Sequence, residues 1–190
     1  MVSKVFGVGL NDVAPISENG RHFDSYTAWK NMLKRCYDLK WQEKNPTYKG
    51  CSVCNAWLVF SAFKKWFDLN GVTGWQIDKD LLTTGNKIYS PDRCIFVPKS
   101  LNTFLTAHGA HRGAYPIGAH YHKDKRKFMA QISVDGVREQ IGAYDSPREA
   151  HLAWFNRKIE LAYEYKELCD SIDPRLFEGV LRKIHSMKEV

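Results

Sequence analysis

The sequence contains no hydrophobic run long enough to cross a membrane and no secretion-type leader. A membrane-spanning helix needs about 18–20 consecutive apolar residues, and no stretch of the chain approaches that length. The opening segment, residues 1–13, has neither the apolar core nor the cleavage pattern of a signal peptide. These absences argue against an integral membrane protein and lead us to expect a soluble, cytoplasmic protein without a membrane partner.

Acidic residues are outnumbered by basic ones. The chain of 190 residues has 21 Asp and Glu against 28 Lys and Arg, which gives a net charge of +7. The isoelectric point is near 9.1. This balance favours a polyanionic partner, and nucleic acid is the commonest one. An ordinary basic protein without such a partner is the alternative.

The sequence has only five cysteines, and in a chain expected to be cytosolic they argue against a disulfide framework. Cys51 and Cys54 form one CxxC pair, Cys36 precedes it and Cys94 follows it. Four thiolates at these positions would complete a closed tetrahedral zinc site that joins the N-terminal region to a later strand. Because only one CxxC pair is present, buried free thiols are the alternative.

A stretch in the middle of the chain, residues 75–105, predicts the order strand, loop, strand, helix. Residues 75–82 alternate as a strand does, and residues 83–93 are rich in Gly, Asn, Ser and Pro. Residues 94–98 predict a short buried strand, and a helix is predicted to begin directly after Pro98. This order places the ends of both strands and the start of the helix close together.

Two oxygen-bearing side chains lie at informative positions in this stretch, Asp78 late in the first strand and Asn102 one turn into the helix. The stretch resembles the ββα-metal core of HNH nucleases, in particular the phage homing-endonuclease branch whose third letter is Asn. The resemblance implies that Asp78 and Asn102 bind magnesium or manganese. It places Lys79 at the position of the general-base His, either as the base or as a charge that stabilises the phosphate. The Asn that forms the second position of the HNH motif, just before the second strand, falls on Arg93. Asn86 in the loop is the candidate for that role.

The run from Tyr48 to Trp57, Tyr-x-Gly-Cys-x-x-Cys-x-x-Trp, resembles a group of phage HNH proteins in which Lys at the His position is common. Some HNH nucleases carry a four-Cys structural zinc near this core, so the resemblance also implies zinc at the four cysteines named above. Helices are predicted on both sides of the run. The first would have Ser25 as its N-cap, and the aromatic stripe of the second is interpreted as core.

The pattern changes after residues 107–113, a small, basic segment that we interpret as a linker lying against DNA, with Arg112 in contact. Residues 115–123, 127–134 and 137–144 predict three antiparallel strands joined by turns. Asp145 or Ser146 then caps a long helix.

Residues 114–166 resemble an APETALA2 (ethylene-response-factor type) DNA-binding domain, because a Gly-x-Tyr/Phe-x-Thr/Ser pattern joins the third strand to an Ala-rich helix. In that family the sheet, not the helix, enters the major groove. The resemblance implies DNA contacts from the outer side chains of the sheet and its turn: His120, His122, Lys125, Arg126, Lys127, Gln131 and Arg138.

The fold class predicted from these patterns is α+β. An N-terminal ββα-metal HNH-like domain with flanking helices would span residues 1–106. A three-stranded antiparallel sheet packed on one helix would follow in residues 114–190. The expected function is that of a monomeric, phage-encoded homing-type endonuclease that hydrolyses or nicks double-stranded DNA at a site read by the sheet, with no small-molecule substrate. The alternative is a catalytically degenerate DNA-binding protein, a regulator or anti-defence factor.

Overall fold

The computed structural model describes residues 4–106, 114–134 and 136–189. It is mixed α+β, with 44% helix and 22% strand, which confirms the predicted class. The chain divides into two compact units after Pro98, and the helix that follows Pro98 groups with the second unit. The predicted linker, residues 107–113, lies outside the described residues.

The helices of the first unit are α1 (Asp24–Tyr37), α2 (Leu39–Lys44) and α3 (Phe60–Asn70). Helix α1 begins two residues earlier than predicted. Phe23 is its N-cap residue, and Ser25 is buried in the first turn instead of capping it.

The strands of the first unit are short and pair in small sheets. A hairpin of β1 (Ser17–Glu18) and β2 (Arg21–His22) lies in a segment where the sequence shows no periodicity. The parallel pair is β3 (Ser52–Val53) with β5 (Ile88–Tyr89). The antiparallel pair is β4 (Trp75–Asp78) with β6 (Ile95–Pro98), and in its register Asp78 lies opposite Ile95.

The core of the first unit is aromatic. Trp29, Trp57, Phe60 and Phe63 are almost completely buried, and the indole Nε1 of Trp29 donates to the Trp57 carbonyl at 2.7 Å. Trp66 stacks on a residue of β6, Phe96, with ring centroids 5.2 Å apart. The interpretation of the aromatic stripe as core is therefore confirmed, and it anchors the β4–β6 hairpin to α3.

The second unit begins with α4 (Lys99–Phe104) and contains one three-stranded antiparallel sheet. Its strands, in spatial order, are β7 (Ala119–His122), β8 (Lys127–Val134) and β9 (Val137–Tyr144). Helix α5 (Pro147–Glu164) packs on the sheet, and α6 (Lys166–Ile172) and α7 (Leu176–His185) follow.

Helix α5 begins with a complete capping box. The Ser146 hydroxyl accepts from the Glu149 amide, and the Glu149 carboxylate accepts from the Ser146 amide. The predicted cap at Ser146 is therefore confirmed.

Small residues bring α5 close to the sheet. Ala130 and Ala150 are fully buried. Gly118 has a φ of +83°, and a Cβ atom there would lie 2.0 Å from the Trp154 side chain. Any larger residue at Gly118 would therefore push the indole of α5 away from the sheet. Within the described residues, no helix combines the length and apolarity needed to cross a membrane.

Candidate functional site

Asp78 ends β4 through its own side chain. One carboxylate oxygen, Oδ1, accepts from the backbone amides of Asp80 at 2.8 Å and Leu81 at 2.9 Å. These bonds turn the chain away from the β6 ladder, so the strand stops at Asp78 and does not continue to residue 82 as predicted. The turn places the carboxylates of Asp78 and Asp80 near each other.

Burial raises the pKa of Asp78, and the neighbouring Asp80 carboxylate raises it further. Removal from water disfavours the charged form, and the second negative charge adds repulsion. A hard divalent cation would relieve both penalties, so the donor chemistry at the end of β4 fits such an ion.

Lys79 is 7% exposed. Its ammonium donates to Asp80 Oδ2 and to the Asn86 carbonyl, both at 3.1 Å. Burial acts to lower the pKa of Lys79, but the Asp80 charge and hydrogen bond outweigh burial and raise it. Lys79 is therefore a cation, and a protonated amine cannot accept a proton from water.

Asn86 joins the two ends of the loop between β4 and β5. Its side-chain nitrogen donates to the carbonyls of Lys79 at 2.6 Å and Ile88 at 2.8 Å. Its side-chain oxygen accepts from the Ile88 amide at 3.1 Å and from Arg93 at 3.2 Å. Asn86, which the sequence offered only as a substitute for a motif residue, is thus the residue that positions Lys79. The Gly-Asn pair in the loop is the sequence signal for this role.

Arg35 of α1 adds a second cation to this region. Its guanidinium lies 5.7 Å from the Tyr48 ring centroid. Burial acts to lower the pKa of Arg35, but Tyr89, Tyr48 and Asp78 together raise it. Arg35 therefore points into the first unit, and it is not part of a solvated basic face of α1.

Asn102 lies on α4, in the second unit. Its carbonyl accepts from the Thr106 hydroxyl at 2.9 Å, which continues the helical turn. Asp78 belongs to the first unit, so the predicted metal pair draws its members from both units and stays a prediction.

The four cysteines of the predicted zinc site all belong to the core of the first unit. Burial raises the pKa of the Cys36 thiol to about 12, with a further contribution from Cys51. Burial also raises the pKa of Cys94 to about 12, and Cys54 is among its electrostatic neighbours. In the described part of the chain, no three His, Cys, Asp or Glu side chains are grouped so that they could hold a metal ion. The raised pKa values of Cys36 and Cys94 favour protonated thiols at these two positions, and zinc stays a prediction.

The strand register places most of the predicted DNA contacts on one face of the sheet. His120 lies opposite Met129, and His122 lies opposite Lys127. Because alternate residues of a strand point to the same side, Gln131 shares this face with Lys127 and Met129. The further partners on this outer face are Ser133 with Arg138, and Gln131 with Gln140.

Helix α5 covers the other face. Arg157 of α5 forms a two-point ion pair with Glu139 of β9, at 2.8 and 3.1 Å. Glu139 lies opposite Ile132, which is 4% exposed. The side of the sheet that α5 covers therefore contains Ile132 and Glu139, and the outer face is the opposite side. Met129, at the centre of the outer face, is itself only 2% exposed.

The predicted cations at the edge of the outer face are accessible. Lys125 and Arg126 lie exposed in the turn between β7 and β8, where Arg126 has a φ of 50°. Lys127 pairs with Asp145. Arg138 is exposed in β9, and Arg112 lies outside the described residues.

A cavity of about 900 Å³ in the second unit is a feature that the sequence did not indicate. Lys158 of α5 lines it and is 6% exposed. Its ammonium donates to the Phe104 carbonyl and lies 3.6 Å from the Phe104 ring centroid. Burial lowers the pKa of Lys158 to about 8. This lysine holds the end of α4 against α5.

Comparison with known families, curated proteins and solved structures finds no match to this chain.

Proposed function

We propose that this chain is a sequence-specific DNA-binding protein of the HNH endonuclease type. It would bind double-stranded DNA as a monomer through the outer face of the β7–β8–β9 sheet. It would hydrolyse or nick the bound duplex in a metal-dependent, homing-type reaction. The observation that carries the proposal is the strand register, which gathers His120, His122, Lys127, Gln131 and Arg138 on one face of the sheet, opposite the face that contains Ile132 and Glu139. Three of these residues, His120, Gln131 and Arg138, also line the cavity that Lys158 lines.

The distribution of charge on this outer face matches the two tasks of a DNA reader. Lys125, Arg126 and Lys127 lie at one end, and Arg138 lies towards the other. Cations at the ends suit phosphate contacts, which position a protein on the duplex. The uncharged residues between them suit base edges, which carry the sequence information.

The hydrolytic part of the proposal places the scissile phosphate near the end of β4. Asp78 would bind magnesium or manganese, which would supply stabilisation of the leaving oxygen when bound. Lys79 stays charged through Asp80, and Asn86 holds its ammonium in place. Lys79 would thus contribute positive potential toward the phosphate, and not proton abstraction.

A second candidate function is favoured by the same lysine. Because Lys79 is held as an ammonium, the position of the family's general base contains no proton acceptor. The β4–β6 strand pair would then bind DNA without cleaving it. The chain would act as a DNA-binding regulator or anti-defence factor.

Plasmid cleavage with Asp78→Asn separates the two functions. The substitution removes the charge but keeps an oxygen that can accept from the Asp80 and Leu81 amides, so the turn should survive. We expect wild type to nick or cut a plasmid carrying its selected site in magnesium or manganese. We expect Asp78→Asn to lose at least about tenfold in rate with unchanged DNA affinity.

Glu43→Gln is the matched control, because Glu43 is an exposed carboxylate of α2 in the same unit. It should cleave like wild type. DNA binding without cleavage by wild type in either metal would establish the second candidate function. Absence of DNA binding by wild type, measured by fluorescence anisotropy over a salt series, would overturn both.

A further inference from the structure

We propose that the outer face of the sheet reads adjacent A·T base pairs through an amide pair, Gln131 and Gln140. This inference depends on the proposed DNA binding and specifies which sequence the sheet prefers. Gln140 was not recognised from the sequence, because only the register shows which residue of β9 faces Gln131.

The two glutamines lie directly opposite each other on neighbouring strands. Side chains at such positions have Cβ atoms about 4.5–5.5 Å apart, close enough for the two amides to reach neighbouring base pairs. Gln140 is exposed and Gln131 is half-buried. Both lie on the face opposite Ile132 and Glu139, where Gln140 faces solvent and Gln131 lines the cavity that Lys158 also lines.

A β-bulge produces this pairing. Ala130 pairs with Gly142, and the next residue of β8, Gln131, pairs with Gln140, so Ile141 is left without a partner. A bulge shifts the alternation of side chains by one residue and increases the local twist. Without it, Ile141 would face Gln131, and a branched apolar side chain would replace the second amide.

The chemistry of the pair selects adenine. A primary amide carries one donor and one acceptor in a single plane, and it matches the N6 donor and N7 acceptor that adenine presents in the major groove. An uncharged amide contributes little to phosphate attraction. The pair is therefore suited to base recognition.

A neighbouring residue on the same face favours the same base pairs. Ala143 is exposed and lies opposite Met129, so its methyl group faces outward beside the amide pair. An exposed alanine on a reading surface makes apolar contact with the thymine methyl group. The amides and this methyl group together favour A·T over G·C.

The test is a binding selection with the full chain on a random duplex pool, read as base frequencies. We expect wild type to enrich adenine at two neighbouring positions. Gln131→Glu should change the preferred base at one position to cytosine. A carboxylate can accept a hydrogen bond from cytosine N4, but it has no hydrogen to donate to adenine N7. Gln140→Glu should make the same change at the other position. Discrimination of about 5–100-fold per base corresponds to a good two-point contact.

Asn156→Asp is the matched control. Asn156 is exposed on α5, which covers the opposite face of the sheet, and the substitution removes the same unit of net charge. It should weaken binding slightly and leave the selected sequence unchanged.

The outcomes separate this inference from the proposed function. Adenine enrichment that moves to cytosine in each glutamate variant, and not in the control, supports the amide pair. Sequence-specific binding without adenine preference, or a selected sequence that stays the same in both glutamate variants, overturns it and leaves DNA binding intact. Absence of binding to any duplex overturns the proposed function, and this inference fails with it.

Discussion

Two buried lysines show how the surroundings of a single residue set its chemistry. Lys79 faces the Asp80 carboxylate, and its pKa is raised. Lys158 donates to the Phe104 carbonyl, and burial lowers its pKa to about 8. The first is a fixed cation in a candidate site, whereas the second is a costly charge within a core.

The lowered pKa of Lys158 predicts a pH dependence of stability. Unfolding returns this lysine to its ordinary pKa of 10.5, so between about pH 8 and pH 10.5 the unfolded chain binds more protons than the folded one. Stability should therefore rise with pH across this window, by up to about 3 kcal/mol. Below pH 8 both states are protonated and this contribution is constant.

Lys158→Met removes the buried charge while keeping most of the side-chain volume. We expect the variant to lose the rise in stability between pH 8 and pH 10 in urea unfolding followed by circular dichroism. Lys123→Met is the control, because Lys123 is exposed in the β7–β8 turn. Equal pH dependence in wild type and Lys158→Met would contradict the assignment.

Asn86 is the second residue whose contacts predict a measurable effect. Replacing it by alanine would leave the Lys79 carbonyl and both backbone groups of Ile88 without their side-chain partner. Each lost partner of a buried group costs about 1–3 kcal/mol. Because only the bond to the Lys79 carbonyl is fully buried, we expect Asn86→Ala to lower the free energy of unfolding of the first unit by about 1–3 kcal/mol.

Tryptophan fluorescence follows this loss, because every tryptophan except Trp154 precedes Pro98. Asn70→Ala serves as the comparison, since Asn70 makes an exposed bond to the Trp66 carbonyl. It should change stability by no more than about 0.5 kcal/mol. A similar effect of both substitutions would show that Asn86 is not a structural anchor.

At the scale of elements, the four cysteines connect segments that are distant in the sequence. Cys36 is on α1, Cys51 and Cys54 flank β3, and Cys94 precedes β6. A metal ion here would join a helix to two small sheets. Since short strands bury little apolar area, such a link would stabilise the first unit substantially.

Metal analysis of the purified chain tests this prediction. We expect about one zinc per chain, as a closed four-thiolate site requires, lost in Cys51→Ser together with a fall in thermal stability. Cys169→Ser is the control, because Cys169 is buried in α6 of the second unit. Metal-free, stable protein whose thiols all react on unfolding would establish free cysteines instead.

The elements of the second unit follow the local pattern of the sequence more closely than those of the first. Strand β8 spans Lys127–Val134 and β9 spans Val137–Tyr144, as predicted. Alternation and turn residues define these strands within a short stretch of chain. In the first unit, β4 is shorter than predicted because the Asp78 side chain competes for the backbone amides that follow it.

At the scale of the whole molecule, positive charge is shared between the two units. Residues 1–98 contain 13 Lys and Arg against 9 Asp and Glu, and residues 99–190 contain 15 against 12. Both units therefore carry a net positive charge, and in the proposed function each would contribute to the salt dependence of DNA binding.

The sequence by itself determined what depends on near neighbours: the mixed α+β class, the aromatic core, the Ser146 cap of α5 and the strands β8 and β9. Strand β7, predicted over residues 115–123, is shorter and spans Ala119–His122. Periodicity, turn residues and capping residues act over a few positions, so they can be read along the chain. Only the tertiary structure decided that Lys79 stays charged, that Asn86 holds the loop, that Lys158 is buried and that Gln140 faces Gln131. Each of these depends on a group brought close by folding or on a single-residue shift of register. Protonation, buried hydrogen bonds and cross-strand pairing are set by distances in space, which spacing along the chain does not specify.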